Sequence, residues 1–174
     1  MRLFVAVDLP EDVAELVRGL ERRPFRELRW TTEAQWHITL RFLGEVDAEQ
    51  VPALCDALDT VPTVLADDVV VEAVLGPVSG WFPGRHVLQV PVGGLDELAE
   101  AVAEASSGWG QPPERHFRGH LTLARTRGGQ GGSPGLAGTA LSATWPVEEV
   151  VLYSSSLGEG GSRYEALHRV AIPA

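Results

Sequence analysis

The sequence predicts an α+β fold built from two similar halves with a cleft at their junction. Predicted strands and helices follow one another along the chain, and each half carries one copy of the motif His-x-Thr-Leu in an apolar, β-prone run. The two histidines, His37 and His120, lie 83 positions apart in a chain of 174 residues. A repeat at this spacing favours a duplicated unit with pseudo-two-fold symmetry. We therefore expect residues 1–174 to form a single, two-lobed domain.

The first half reads as strand, helix, short strand, motif strand and second helix. The apolar run 3–9 predicts a strand, and the acidic residues after Pro10 predict the start of a helix that ends near Arg22. A short strand over 28–31 precedes the strand that carries His37. The stretch 47–58 then predicts a second helix, because its apolar residues recur at helical spacing.

The second half contains more strands and one clear helix. Glycine dominates residues 127–138, so we expect a mobile loop there without regular structure. The predicted helix spans 95–105, where apolar residues fall on one side. The predicted strands are 69–75, 86–92, 117–126, 147–153 and 164–172.

Both motif strands present a histidine and a threonine on the same face. Side chains alternate along a strand, so His37 and Thr39 point one way while the apolar residues between and after them point the other. His120 and Thr122 repeat this arrangement. If the two strands meet across a cleft, two imidazoles and two hydroxyls converge on one point.

Such a site is suited to acid–base chemistry on a phosphodiester. Histidine titrates near neutral pH, so one imidazole can remove a proton while the other supplies one. Threonine hydroxyls can donate hydrogen bonds to phosphoryl oxygens. We find no grouping of histidines and carboxylates at the usual ligand spacing, so we expect charge stabilisation by these groups without a metal.

Net charge, apolar runs and cysteine count limit the ligands that the protein can bind and the compartment in which we expect it. The formal charge is −10, which disfavours a protein that binds many phosphates along a nucleic acid and permits one that binds a terminus or a small nucleotide. No apolar run approaches the roughly 18 residues of a membrane span. Asp8 and Pro10 interrupt the apolar N-terminus, so it does not read as a signal peptide. Cys55 is the single cysteine, which rules out an internal disulfide. We expect a cytoplasmic monomer.

The sequence resembles the two-histidine phosphoesterase superfamily, and most closely its bacterial and archaeal RNA 2′,3′-cyclic phosphodiesterases, historically called 2′-5′ RNA ligases. The resemblance implies two antiparallel sheets flanked by helices around a central cleft, and no cofactor. It also implies that His37 donates a proton to the leaving 3′-oxygen, that His120 activates water, and that Thr39 and Thr122 hold the phosphate. The substrate would be an RNA 3′ end or a small cyclic nucleotide, and the product a 2′-phosphomonoester. The segments that carry the resemblance are 2–7, 29–30, 37–44, 117–125 and 152–165.

Two arginines are candidate phosphate ligands. Arg41 shares the predicted face of His37 and can contact a phosphate with two hydrogen bonds, although an exposed salt bridge is an equal alternative. Strict alternation puts Arg125 on the face opposite His120 unless the strand bulges, but the family pattern favours Arg125 as a phosphate neighbour. Among the aromatic residues, Trp36 and Phe42 read as core, and Trp81 and Phe82 as candidates for stacking on a base.

Other functions remain open at this point. Related chemistry in reverse would join a cyclic phosphate to a 5′-hydroxyl as an ATP-independent ligase, although water at about 55 M competes with a weakly bound second RNA. The chain could also be a nucleotide-binding module without turnover, or an interaction domain whose motifs are coincidental. Two proton-transfer groups argue against pure binding. His86, His116 and His168 read as structural or solvent-facing.

Overall fold

The computed structural model describes residues 1–65, 69–113 and 115–173. They form mostly antiparallel β-sheet with few, short helices, which confirms the sheet content of the predicted fold. The strands are β1 (Arg2–Asp8), β2 (Leu28–Trp30), β3 (His37–Glu45), β4 (Glu72–Leu75), β5 (Gly80–Trp81), β6 (Val87–Gly93), β7 (His120–Thr126), β8 (Ala143–Pro146), β9 (Glu149–Gly158) and β10 (Gly161–Ala171).

The helices are short and cover the sheet with their apolar sides. Acidic side chains in the first turn of α1 stabilise the N-terminal end of this helix. The helix ends before Gly19, about one turn earlier than the sequence predicts. The predicted helix over 47–58 divides into a 3-10 turn and α2. The helices are α1 (Glu11–Arg18), α2 (Val51–Leu58), α3 (Val61–Val64) and α4 (Asp96–Ala105), and 3-10 turns span Glu33–Gln35, Ala48–Gln50 and Pro134–Leu136.

The strands follow one continuous hydrogen-bonded path, in which β4 and β8 form a second antiparallel sheet that adjoins the first through β6. The order is β10-β9-β1-β3-β7-β6-β4-β8, with β2 added to β7 and β5 added to β6. The two motif strands, β3 and β7, are neighbours at the middle of this path. Only one residue pair, Ile38 with Leu121, joins them. Antiparallel pairing at this point brings the two His-x-Thr motifs side by side.

The apolar residues of the motif strands lie in the core, as their alternation predicts. Ile38 and Leu121 are fully buried, and α4 packs against β3 on this side of the sheet. Trp36 is also buried, in agreement with its predicted place in the core. Burial of this face orients the polar residues of β3 and β7 toward the opposite face.

The glycine-rich segment is more structured than its composition predicts. It contains the 3-10 turn Pro134–Leu136, and the Gly132 N–H donates to the Arg85 carbonyl. The Arg85 side chain returns a hydrogen bond to the Gly132 carbonyl at 2.8 Å. Tertiary hydrogen bonds therefore replace the regular structure that glycine disfavours. Within the described part of the chain, no helix is long and apolar enough to cross a membrane.

Candidate active site

An open cleft of about 500 Å³ lies on the face of the sheet opposite α4. His37, Thr39, His120 and Thr122 all line it. The pairing of Ile38 with Leu121 explains this convergence, because antiparallel register sets His37 beside Thr122 and Thr39 beside His120 on the same face. The four side chains that the sequence selected thus surround one space.

Both motif strands contain a bulge at the same place, directly after the His-x-Thr. Against β1, the partner of Val5 is Arg41 and the partner of Ala6 is Thr39, so Leu40 is the extra residue. Against β6, the partners of Leu88 and Gln89 are Ala124 and Thr122, so Leu123 is the extra residue. A bulge reverses the alternation of the residues that follow it. The residue that returns to the cleft is therefore the fifth after each histidine.

The bulges decide which of the predicted residues reach the cleft. Phe42 and Arg125 occupy the two equivalent positions, and both line the cleft. Phe42 is 49% exposed, which corrects its prediction as a core residue. Arg125 lies on the side of His120, where the family pattern had put it and strict alternation had not. Arg41 is turned to the opposite face and is absent from the cleft.

Arg41 supports α4 instead of facing the cleft, and its prediction as a substrate-binding residue is corrected. It is 6% exposed. One guanidinium nitrogen, Nη1, donates to the Ala103 carbonyl at 2.8 Å and to Ser106 Oγ at 2.6 Å. Nη2 donates to the Trp109 carbonyl at 3.0 Å. The Ala103 carbonyl belongs to the last turn of α4, and Trp109 lies just beyond the end of this helix. Helices leave carbonyl acceptors unsatisfied at this end and favour a cation there.

His37 is held in one orientation by a backbone carbonyl. Its Nδ1 is 2.8 Å from the Gln35 carbonyl, and because a carbonyl can only accept, Nδ1 carries the proton. Its Nε2 is 3.0 Å from Thr39 Oγ1 and faces the cleft. The ring packs on Phe4 and Tyr164, with centroid distances of 4.8 and 5.1 Å. Nε2 is thus the nitrogen available for proton transfer.

His120 is positioned by the same device. Its Nδ1 donates to the carbonyl of Arg118 at 2.8 Å, again two residues upstream, which leaves Nε2 for the cleft. The ring of Phe82 meets His120 edge-on at a centroid distance of 4.7 Å. Phe82 therefore contacts a site residue, whereas the Trp81 indole turns to the loop and donates to the Ser133 carbonyl.

Burial favours the neutral form of both imidazoles. Loss of solvation lowers the pKa of His37 to about 4, and the charges of His120 and Arg125 act in the same direction. The hydrogen bond to Gln35 and the Asp8 carboxylate oppose this shift. Burial also lowers the pKa of His120, to which Arg125 adds and which the hydrogen bond to Arg118 opposes. An anion in the cleft would favour the imidazolium form of either ring.

A carboxylate that the sequence did not single out lies behind His37. Asp8 is the cross-strand partner of His37, and the Tyr153 hydroxyl donates to its two carboxylate oxygens at 2.7 and 2.9 Å. Arg169 lies 3.6 Å from the same carboxylate. Sequence spacing offered no signal for this group, because Asp8 is 29 positions from His37 and is brought to it only by strand pairing.

The low pKa of His37 predicts a pH dependence of stability. The folded state resists protonation of His37 until about pH 4, whereas in the unfolded chain this group takes up its proton near pH 6.5. The free energy of unfolding should therefore fall as pH drops from 6.5 to 4, and His37 alone should account for about 3 kcal/mol of this fall. Urea unfolding of the wild type and of His37→Gln at several pH values measures it. Parallel pH curves for the two proteins would contradict the prediction.

The cleft is locally positive in an acidic protein. Arg2, Arg29 and Arg125 line it, and among the described residues no Asp or Glu does. The Arg2 guanidinium lies over the Phe42 ring, 5.0 Å from its centroid. Hydroxyl groups from β9 and β10 complete the wall. Such a lining suits an anionic ligand that also carries hydrogen-bonding groups.

The remaining histidines lie outside the cleft. His86 contacts Thr126 Oγ1 at 2.9 Å, and His168 pairs with Asp59 at 2.7 Å. Within residues 1–65, 69–113 and 115–173, no group of three or more His, Cys, Asp or Glu residues is arranged to hold a metal ion.

Comparison with known proteins confirms the resemblance seen in the sequence. The family model described as LigT like phosphoesterase matches residues 3–71. The RNA 2′,3′-cyclic phosphodiesterase of Thermus thermophilus is 32% identical over 99% of this chain and 90% of its own length. The protein of the same name from Escherichia coli is 31% identical over 98% of this chain and 96% of its own length.

Solved structures show the same fold. The crystal structure of TT0787 from Thermus thermophilus has a TM-score of 0.81 and 29% identity, over 99% of this chain and 98% of that one. Escherichia coli LigT complexed with 3′-AMP has a TM-score of 0.71 and 26% identity over the same shares. The chain therefore belongs to the family of LigT-like phosphoesterases.

Proposed function

We propose that this protein hydrolyses RNA or nucleoside 2′,3′-cyclic phosphates to 2′-phosphomonoesters, without a metal ion. The observation that carries the proposal is the pairing of two oriented imidazoles with two threonine hydroxyls in a positively charged cleft. Relatives named RNA 2′,3′-cyclic phosphodiesterase align over nearly the whole chain, which supports the same activity here.

In the proposed reaction, one histidine removes a proton and the other supplies one. His120 Nε2 takes a proton from water while the water oxygen bonds to phosphorus. The bond from phosphorus to the 3′-oxygen breaks, and His37 Nε2–H gives its proton to that oxygen. The product carries a 2′-phosphate and a 3′-hydroxyl, and one water is consumed. Both imidazoles expose Nε2 because Nδ1 is engaged by a backbone carbonyl in each case.

The phosphate is held by hydroxyls and a guanidinium. Thr39 and Thr122 donate to its non-bridging oxygens, and Arg125 neutralises the charge that grows on them in the transition state. Thr39 Oγ1 lies 3.0 Å from His37 Nε2, so a bound phosphate oxygen would take over an existing hydrogen-bonding position. Preorganised donors of this kind contribute because they need no reorientation during the reaction.

Binding of the anionic substrate favours the protonated form of His37, which is the form that the proposed reaction requires. Burial favours neutral His37, whereas a bound phosphate and the nearby Asp8 both favour its imidazolium form. The kcat/KM profile reports the free enzyme and the kcat profile the complex. The alkaline limb is therefore expected at higher pH in kcat than in kcat/KM.

The test is hydrolysis of adenosine 2′,3′-cyclic phosphate followed by phosphorus NMR. The proposal requires loss of the cyclic phosphate signal and growth of the 2′-phosphomonoester signal. A 3′-phosphate product would overturn the assignment of the leaving oxygen. Binding without turnover would favour the nucleotide-binding module, and joining of an added 5′-hydroxyl RNA in preference to hydrolysis would favour the ligase.

Turnover should survive strong chelation. The proposed charge stabilisation comes from four polar side chains and Arg125, so we expect the hydrolysis rate in excess EDTA to stay within experimental error of the untreated rate. Loss of activity in EDTA that a divalent cation restores would refute the metal-free mechanism.

We also propose that residues 1–174 act as one domain with two related lobes, and as a monomer. The equivalent bulges after Thr39 and Thr122 support the duplication, as do the equivalent Nδ1 contacts of the two histidines. Sedimentation velocity tests the monomer, since a dimer would have twice the 18.7 kDa mass of the chain.

A further inference from the structure

Two arginines face each other across one strand pair of the cleft without a balancing acid. Arg29 of β2 is the direct cross-strand partner of Arg125 of β7, and both line the cleft. Like charges directly opposite each other destabilise an antiparallel pair. No ion pair among the described residues involves either one. An anionic ligand would provide the charge that this pair lacks.

Arg29 is held against the opposite wall of the cleft. A Cβ added to Gly161, at the start of β10, would lie 2.4 Å from Arg29 Nη2, so the guanidinium fits there because this residue is glycine. The φ of Gly161 is +105°, which also favours glycine. The side chain thus crosses from β2 to the hairpin of β9 and β10. Its charge lies on the side of the cleft that Ser155, Ser156 and Ser162 line.

Arg29 and Arg125 reach different parts of the cleft lining. Arg125 lies on the same strand as His120 and Thr122, whereas the Arg29 guanidinium lies beside Gly161 at the start of β10. The four motif side chains and Arg125 already supply enough donors for one phosphate. The charge of Arg29 is therefore available for a second phosphate on the same ligand.

We propose that Arg29 binds the phosphodiester immediately 5′ of the cyclic end, so that the cleft prefers an RNA oligonucleotide to a mononucleotide. This inference rests on the proposed function, because it takes the cyclic phosphate to lie at the motif side chains. The ligand then places one phosphate at Arg125 and the next at Arg29. The cross-strand arginine pair matches the two successive negative charges of an RNA backbone, and its repulsion is relieved when they bind.

The test compares two dinucleotides that differ only in one charge. One is adenylyl-adenosine 2′,3′-cyclic phosphate with its natural linkage, and the other carries a neutral methylphosphonate at that linkage. The wild type should have a kcat/KM at least about 10-fold higher for the natural dinucleotide, as expected for a charge-assisted contact. Arg29→Ala should remove most of this ratio, and Arg29→Lys should retain part of it. The exposed Arg26→Ala, in the segment before β2, is the matched control and should preserve the ratio.

Salt dependence gives a second readout. One fewer phosphate contact should reduce the slope of log(kcat/KM) against log[salt] by about 0.7 for the natural dinucleotide in Arg29→Ala. If Arg29→Ala lowers kcat/KM equally for both dinucleotides and for adenosine 2′,3′-cyclic phosphate, Arg29 serves the reacting phosphate and the proposal is overturned. A ratio unchanged by Arg29→Ala would overturn it too.

A binding measurement separates this proposal from the proposed function. Calorimetry with the 2′-phosphorylated dinucleotide, in its natural and methylphosphonate forms, requires no turnover. If the wild type hydrolyses nothing but still prefers the natural form, and Arg29→Ala loses that preference, the reaction fails while the Arg29 subsite stands. Equal dissociation constants for the two forms in the wild type would contradict the subsite.

Discussion

His37→Ala and His120→Ala should each lower kcat/KM for a nucleoside 2′,3′-cyclic phosphate by about 10²–10⁴-fold, the usual contribution of a general acid or base. The two groups act in one step, so the double variant should be little worse than either single variant. The measurement is steady-state hydrolysis of adenosine 2′,3′-cyclic phosphate. Among the described residues neither ring takes part in an ion pair, so neither substitution leaves an unpaired charge behind.

The pH dependence of the hydrolysis rate distinguishes the general base from the general acid. The wild-type profile should be bell-shaped, since the base must be neutral and the acid protonated. Loss of the acidic limb in His120→Ala and of the alkaline limb in His37→Ala would support the proposed roles. The opposite pattern would exchange them. The limbs belong to the interacting pair, so their midpoints need not equal either single pKa.

His168→Ala is the matched control for both variants. His168 is also half-buried in the sheet but pairs with Asp59 away from the cleft. Its loss should leave hydrolysis unchanged, because His168 is not among the described residues that line the cleft. Near-wild-type turnover with both limbs intact in His37→Ala or His120→Ala would make that histidine structural and refute the mechanism.

Arg41→Ala should lower the free energy of unfolding by about 3 kcal/mol or more. It would leave the carbonyls of Ala103 and Trp109 and the Ser106 hydroxyl without their donor. The Ser106 contact is buried and the two carbonyl contacts are partly buried, and a buried acceptor left unsatisfied costs about 1–3 kcal/mol. It would also leave a cavity between β3 and the end of α4. Urea unfolding at neutral pH measures the change.

Arg125→Ala provides the matched comparison, because Arg125 is an exposed arginine that lines the cleft. Its stability should change by no more than about 0.5 kcal/mol, as for most surface positions. Its kcat/KM should fall by about 10-fold or more, because one charge-assisted contact to the phosphate is lost. A variant Arg41→Ala with wild-type stability and a raised KM would restore Arg41 to the substrate site.

The contrast between these two arginines shows where sequence reasoning stops. Strand alternation predicted that Arg41 shares the face of His37, and it would do so in a regular strand. The bulge at Leu40 exists because β3 pairs with β1 in a shifted register, and the same is true of Leu123 against β6. A bulge depends on the partner strand, so the sequence of one strand does not reveal it.

The sequence alone determined the chemistry-bearing pairs. His37 with Thr39, and His120 with Thr122, share a face because they are two residues apart, and the period of a strand is a local property of the backbone. The apolar residues between them bury one face and so direct the polar face outward. The shared face of histidine and threonine was predicted correctly in both motifs, because it does not depend on a partner strand.

Tertiary structure alone decided what surrounds these pairs. The pairing of Ile38 with Leu121 joins the two motifs, strand pairing brings Asp8 behind His37, and β2 sets Arg29 opposite Arg125. These neighbours are distant in sequence, and their approach follows from which strands share hydrogen bonds and in what register. Pairing free energies between strands, rather than the propensity of any one strand, settle that choice.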